Sequence, residues 1–248
     1  MWIIEDILAS IREDSRVEEV RACVFWTAVV SRRCGLASTP RECSGHAEGP
    51  SVRDIDGVDG KSALQLARLA LSESPVEAAI GVAALNSLLE ADPGRCIERN
   101  AAELLLEKGA GKRVAVVGNF PFVPKLRRVA GTLWVFERSG AEGTLPETEA
   151  ERLLPESQVV AISGSALVNG TMDGLLSFLS PAAFVMVLGP STPLSEVFFD
   201  YGVDVVCGTQ VTDSAQVLRD ISRGACFRQV RGTRLLAMAR DAGRASGA

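Results

Sequence analysis

A single histidine, His46, stands in the 248 residues of this chain. Metal sites built on several histidines are therefore excluded, and so is a Ser-His-Asp triad on any other histidine. Paired cysteines are missing too: none of Cys23, Cys34, Cys43, Cys96, Cys207 and Cys226 belongs to a Cys-x-x-Cys. Cys23 and Cys207 sit in apolar, strand-like runs, where a free thiol behaves as a small hydrophobe. Reduced thiols in a reducing compartment fit this usage better than a disulfide framework. Cys34, Cys43 and His46 are the one grouping with metal-ligand character, and they are too few for a usual site. No residue is assigned to a metal.

Long apolar runs are absent as well. Spanning a bilayer takes about 20 apolar residues. The longest candidate, "VEAAIGVAALNSLLE", is shorter and is broken by Asn86. The start, "MWIIEDILAS", sets Glu5 and Asp6 inside its apolar part. A secretory signal has a basic start and an uninterrupted apolar run. The expectation is a soluble, cytoplasmic protein with no membrane partner. Basic charge is in the minority, 26 Lys and Arg against 31 Asp and Glu, for a net charge of −5. A general nucleic-acid binder needs a basic face to neutralise phosphates, so none is expected. Lys125, Arg127 and Arg128 do cluster; such runs are usually a solvated helix face.

What is present reads as two unlike halves. In the first, Ile3, Ile4, Ile7, Leu8 and Ile11 recur at helical spacing through "WIIEDILASIRE". "EEVRACVFWTAVVSRR" is rich in Val, Phe, Trp and Thr and reads as a strand or hairpin. Gly35 to Gly60 is crowded with Gly, Pro, Ser and Asp and reads as loop. Helices follow over "GKSALQLARLAL" and "SPVEAAIGVAALNSLLE". In the second, Ser74 is placed as cap, Pro75 at the first helical position and Glu77 as the far side of a capping box. This predicts a small α+β domain over residues 1–95.

The second half begins with a helix, "ERNAAELLLEKGAGKR", closed by Gly109. Strand and helix patterns then alternate through "RVAVVG", "TLWVFER", "QVVAISG", "AFVMVLGP" and "VDVVCGT". Short apolar strands separated by helices imply a parallel sheet covered on both faces. The expected fold is α/β: a Rossmann-like domain of five parallel strands over residues 96–248, with a last short strand near "CFRQV".

In such sheets ligands bind beyond the carboxyl ends of the strands, where the strand order reverses. Three turns are placed on that rim: "GNFPFVP" at Gly118–Pro124, "SGSALVNGT" at Ser163–Thr171 and "GPSTPL" at Gly189–Leu194. Gly164 and Gly170 free the backbone and Thr171 reads as a helix cap, while Ser163, Ser165 and Asn169 supply donors and acceptors. Asp173 takes the positive end of that helix, which favours a neutral or partly cationic ligand group over a phosphate. The first turn holds Asn119, Phe120, Pro121 and Phe122 where dinucleotide binding needs further glycines, so NAD binding is not expected. Glu137 ends the second strand, where an acid takes ribose hydroxyls; an exposed strand end accounts for it equally. Phe120 and Phe122 either stack on a flat heterocycle or plug the gap between the domains. Ser191 and Thr192 offer an oxygen-binding corner or a helix start.

Four motifs carry a family resemblance: "VGNFPFVPKLR" at 117–127, "SGSALVNGTMDGLL" at 163–176, "LGPSTPLSEVFFDYGVDVVCGT" at 188–209 and "EAAIGVAALNSLLE" at 77–90. In these the chain resembles the "putative heavy-metal chelation" proteins. The resemblance implies an enolase N-terminal-like domain followed by a Rossmann-like domain. It also implies a ligand site between them for a small metal-chelating, pterin-like or flavin-like molecule. Carried over by position, that site includes Gly118, Phe120, Pro121, Asn169, Thr171, Gly189, Pro190 and Ser191, with Asn86 contributed by the first domain or else capping a neighbouring loop. No catalytic residue and no cofactor carries over. The alternatives are a direct metal binder without catalysis, a methyltransferase-like enzyme with an adenosine-type cofactor, and a non-catalytic partner protein.

Overall fold

The computed structural model describes residues 1–40, 52–58, 60–138 and 140–240. Cys43 and His46 lie outside the described residues. Among those residues no helix is long and apolar enough to cross a membrane.

The first half opens with helix α1 (Trp2–Ser10), which buries Ile3, Ile4 and Ile7. Strands β1 (Glu19–Ala22), β2 (Trp26–Val30) and β3 (Cys34–Ser38) form an antiparallel meander. The hairpin is where the β-branched and aromatic residues put it. The third strand falls in the stretch read as loop, and that reading is corrected: Val29 pairs with Gly35 and Ala28 with Leu36. Cys34-Gly35-Leu36-Ala37-Ser38 has little β-branched character, so its strand state comes from burial rather than from propensity.

Helix α2 (Ala63–Ala67) runs into a 3-10 turn (Arg68–Leu71), and α3 (Pro75–Leu88) follows. Ser74 caps α3 through the Glu77 amide, and Pro75 is its first residue. Glu77 does not complete a capping box. Its carboxylate accepts from the Ser72 hydroxyl at 2.5 Å and the Arg53 amide at 2.7 Å. α3 is buried all round, from Glu77 and Ala78 to Ser87 and Leu88. A helix apolar on every side is a core helix. Two glycines let other backbone lie against it. A Cβ on Gly35 would overlap the Ala83 carbonyl, and one on Gly81 would overlap the Ala70 amide.

The second half builds a seven-stranded sheet in the order β4-β10-β9-β8-β7-β5-β6. Its strands are β4 (Cys96–Glu98), β5 (Arg113–Val117), β6 (Thr132–Phe136), β7 (Val159–Ser163), β8 (Phe184–Leu188), β9 (Val205–Val211) and β10 (Thr233–Ala239). The five from β5 to β9 are parallel, as expected. β10 and β4 add an antiparallel edge. The predicted last strand near "CFRQV" is corrected: Phe227–Gln229 is a 3-10 turn, and the strand comes later. Asp220 fixes that turn by accepting from the Arg231 amide at 3.0 Å and its guanidinium at 2.8 Å, which holds the carboxyl far below its usual range. Gly109 is the last residue of α4 (Ala101–Gly109) rather than its cap; the left-handed turn is made by Gly111.

Helices α4 and α5 (Val123–Val129) cover one face through Leu104, Leu105, Val123 and Leu126. The other face shares one continuous core with α1, α2 and α3, joined by α6 (Ala150–Leu153), α7 (Ser165–Val168) and α8 (Met172–Ser177). On its far side the small sheet packs Ala28, Cys34 and Leu36 against Val217, Leu218 and Ile221 of α10 (Ser214–Ser222). Two polar contacts tie α1 down. Asp173 accepts from the Trp2 amide at 2.8 Å, and the Tyr201 hydroxyl, beside α9 (Val197–Asp200), donates to Asp6 at 2.6 Å.

Tyr201 is the only tyrosine, and its hydrogen bond to Asp6 pushes the phenol up to about 12. A raised folded-state value means the contribution is whole below the unfolded value of about 10 and is lost as pH rises through the folded one. Tyrosinate absorbance should titrate near pH 12, and Asp6→Asn should move it towards 10. Gly35→Ala should destabilise the fold by about 3 kcal/mol, read from the urea midpoint, because only backbone can give way.

Candidate functional site

The parallel strands run β5 to β6 on one side and β5 to β7 on the other, so the order reverses beside β5. Their carboxyl ends form a rim in that crevice. Gly118 and Gly189 leave β5 and β8 at φ of +109° and +118°, a conformation that costs other residues heavily. The Phe120 ring lies over both: a Cβ on Gly118 would be 3.2 Å from it and one on Gly189 4.0 Å. Phe120 also stacks on Phe122, with centroids 5.0 Å apart and planes 11° off parallel. Both pack with the α4/α5 core. They fill each other's faces on the α5 side of the sheet, and a proline, Pro121, is exposed beside them.

Two adjoining hollows open on the other side of this turn. The larger, about 880 Å³, has Met1, Glu5, Ser38 and Glu73 on one wall and Asn119, Glu137, Ser165 and Asn169 on the opposite one. The smaller, about 190 Å³, shares those four sheet-side residues and runs in to Gly118, Phe120 and Ser163. The β6 end supplies Glu137, the β5 end Asn119, and the segment after β7 both Ser165 and Asn169. Among the described residues the side chains of Asn119, Glu137 and Asn169 have no hydrogen-bond or ion-pair partner. Ser163 and Ser165 bond to each other at 2.8 Å. Among the described residues the cleft carries Glu5, Glu73 and Glu137 against the Met1 ammonium and Arg138, and Arg138 lies 3.8 Å from Glu147.

The other residues expected at the site are drawn into a seam beneath it. Asn86 donates to the Leu36 carbonyl at 2.8 Å and the Ser191 carbonyl at 3.3 Å, the loop-capping alternative. Ser191, 3% exposed, accepts from the Ser38 amide at 2.8 Å. Thr192 is buried against Gly164, where a Cβ would overlap its hydroxyl. Gly164 is therefore a packing glycine. Pro190 stays half-buried at the rim beside Gly189. Thr171 does not cap α8: its hydroxyl is buried without a partner. Asp173 spends its carboxylate on the amides that open α1. The residues missed from sequence, Glu5, Ser38 and Glu73, carry no motif; only the docking of the first half onto the sheet brings them to the cleft.

Among the described residues no three His, Cys, Asp or Glu side chains converge as metal ligands. Burial pushes the Cys34 and Cys207 thiols up to about 12. Burial also raises Cys96, helped by the Asp92 carboxylate. Burial therefore sets a cost on forming thiolate at these positions. In the native protein at pH 7.5, exposed Cys226 should react with a thiol reagent within minutes. Cys34 and Cys207 should react at least about a thousandfold more slowly, on the scale set by their thiolate fraction. Peptide mapping after alkylation would measure both.

The model for one "putative heavy-metal chelation" family, DUF364, matches residues 100–239, and that for a second of the same description, DUF4213, matches residues 4–89. An uncharacterized protein of Methanocaldococcus jannaschii is 34% identical over 155 residues, which is 58% of this chain and 58% of that protein. The match therefore spans less than two thirds of that relative. A DUF364 protein with unknown function from Desulfitobacterium hafniense superposes with a TM-score of 0.85 at 25% identity, covering 96% of this chain and 98% of that one. Another, from Pyrococcus horikoshii, gives 0.79 at 22% identity over 96% and 98% and supports the fold alone.

Proposed function

This chain belongs to the "putative heavy-metal chelation" family, and from that premise we propose that it binds a small polar heterocyclic or metal-chelating molecule in the cleft. One observation carries the reading. Asn119, Glu137 and Asn169 converge on a cavity of about 880 Å³ and leave their polar groups unspent. That volume is in the range of small-molecule sites. Polar side chains that face a cavity without internal partners are available to a ligand at little rearrangement.

The chemistry of the walls narrows the class. Glu137, Glu5 and Glu73 accept and do not donate, so they favour a ligand edge rich in N–H groups and oppose phosphate. The amides of Asn119 and Asn169 suit a ring that alternates donors and acceptors. A pterin, a flavin ring or a nitrogen-rich chelator meets these terms. Any metal arrives held by the ligand rather than by protein thiolates. A second reading has its own support: Glu137 at the end of β6 stands where an acid takes ribose hydroxyls, which suits an adenosine-type molecule. The free cysteines fit a reducing compartment, which is the support for a cytoplasmic placement.

Thermal melts of the whole chain with pterins, flavins, nucleosides and S-adenosylmethionine test the reading. At a hundredfold excess over Kd, one of them should raise Tm by roughly 5–10 °C. Glu137→Gln and Asn169→Ala should abolish the rise and leave the unliganded stability within about 0.5 kcal/mol. Stabilisation by none of them, or stabilisation untouched by both substitutions, contradicts it.

A further inference from the structure

The cleft lies at the carboxyl ends of the parallel strands. A separate hollow of about 430 Å³ opens at their amino ends, where Phe184 and Val205 begin β8 and β9. Its apolar lining is Ile97 of β4, Leu104 of α4, Phe184, Val205, Ala237 and Ala239. The strand register explains why it is concave. Directly paired residues of antiparallel strands point to one face. Ala237, a small side chain, pairs with Cys207 on one side and Ile97 on the other, and Ala237 and Ala239 leave the floor between them low. On the same face Ile97, which lines the hollow, is 58% exposed and Leu235 42% exposed. The α4/α5 layer ends before it covers these strands, and an apolar surface is left beside a cavity.

The polar part of the lining has one dominant sign. Among the described residues Arg99, Lys108 and Arg240 face a single carboxylate, Asp204. Asp204 is already engaged by Arg240 at 2.7 Å and by the Val185 amide at 2.8 Å. Arg99 reaches Glu107 at 3.2 Å. Lys108 has no ion-pair partner among the described residues; its ammonium stands 5.3 Å from the centroid of the Phe184 ring. An ammonium with no ion-pair partner at the mouth of an apolar hollow can give an anion a charged hydrogen bond while the hollow takes its apolar body.

We propose that this hollow is a second binding site, which takes a small organic anion: an apolar body against Leu104, Phe184, Val205 and Ala237, and a carboxylate or sulfonate at Lys108. The volume is that of a small-molecule site, and the charge excess selects against neutral and cationic apolar compounds. The site is independent of the cleft, because the length of the strands separates the two.

Decanoate and decanol are the probes, titrated calorimetrically into the full chain. Decanoate should bind, and decanol, with the same body and no charge, should bind at least about tenfold more weakly, the scale of one charged hydrogen bond. Lys108→Gln should weaken decanoate by about the same factor and leave decanol unchanged, and Lys108→Arg should restore decanoate. Ile97→Asp, at an exposed position, should weaken both probes and leave the melting temperature unchanged. The proposal fails if decanoate releases no heat at millimolar concentration. It also fails if decanol binds as tightly, or if decanoate binding survives both Lys108→Gln and Ile97→Asp. Sedimentation should show no dimer that depends on Ile97. A dimer that Ile97→Asp dissociates would overturn the proposal, because a second copy, not a small anion, would then cover this face.

Discussion

Close backbone approach around α3 is the constraint on which the molecule rests. Almost every residue of that helix is buried. Gly35 lets β3 lie against it on one side, and Gly81 lets the Arg68–Leu71 turn lie against it on another. Neither glycine is needed for an unusual dihedral; both are needed because a methyl group would meet backbone. This packing makes the first half a single body. The same core continues into Val117, Val160, Ile162 and Val187 of the large sheet.

Polar contacts then set how that body sits on the sheet. Ser38 and Ser191 bond across the seam, and Asn86 holds both sides of it. At the other end Asp173 and Tyr201 hold α1. Those in the seam are buried or half-buried, so each would be costly to leave unmade. Between the two anchoring regions the cleft opens. Its polar groups differ from those of the seam: Asn119, Glu137 and Asn169 have nothing to bond to among the described residues, and Asn119 and Asn169 are exposed. In this member of the "putative heavy-metal chelation" family burial raises the Cys34 and Cys207 thiols well above their ordinary range.

Much of this was legible in the sequence, for a local reason. The five parallel strands announce themselves as Val- and Ile-rich runs between helices, and that pattern alone implies the sheet and its ligand-binding edge. β3 and β10 were hidden, since Cys34–Ser38 and Thr233–Ala239 hold strand state through tertiary pairing against weak propensity. The topological rule places Asn119, Glu137, Ser165 and Asn169 on the rim because it depends on strand order, and these four line one cleft. It could not separate them from Ser191, Thr192 and Asn86, which look the same in sequence but are buried in the seam. Nor could it find Glu5 or Glu73, which reach the cleft only through long-range docking. Capping assignments failed in the same way at Thr171 and Glu77, whose side chains answer to distant partners or to none.

The central claim is that the unspent groups at the cleft exist to hold a small molecule. A crystal structure of the chain purified without denaturation, with mass spectrometry of what it releases, tests this most directly. The account predicts one bound compound whose N–H groups lie within hydrogen-bond distance of Glu137 and whose ring contacts Asn169. A compound seated elsewhere, with Asn119, Glu137 and Asn169 facing only water, would contradict it.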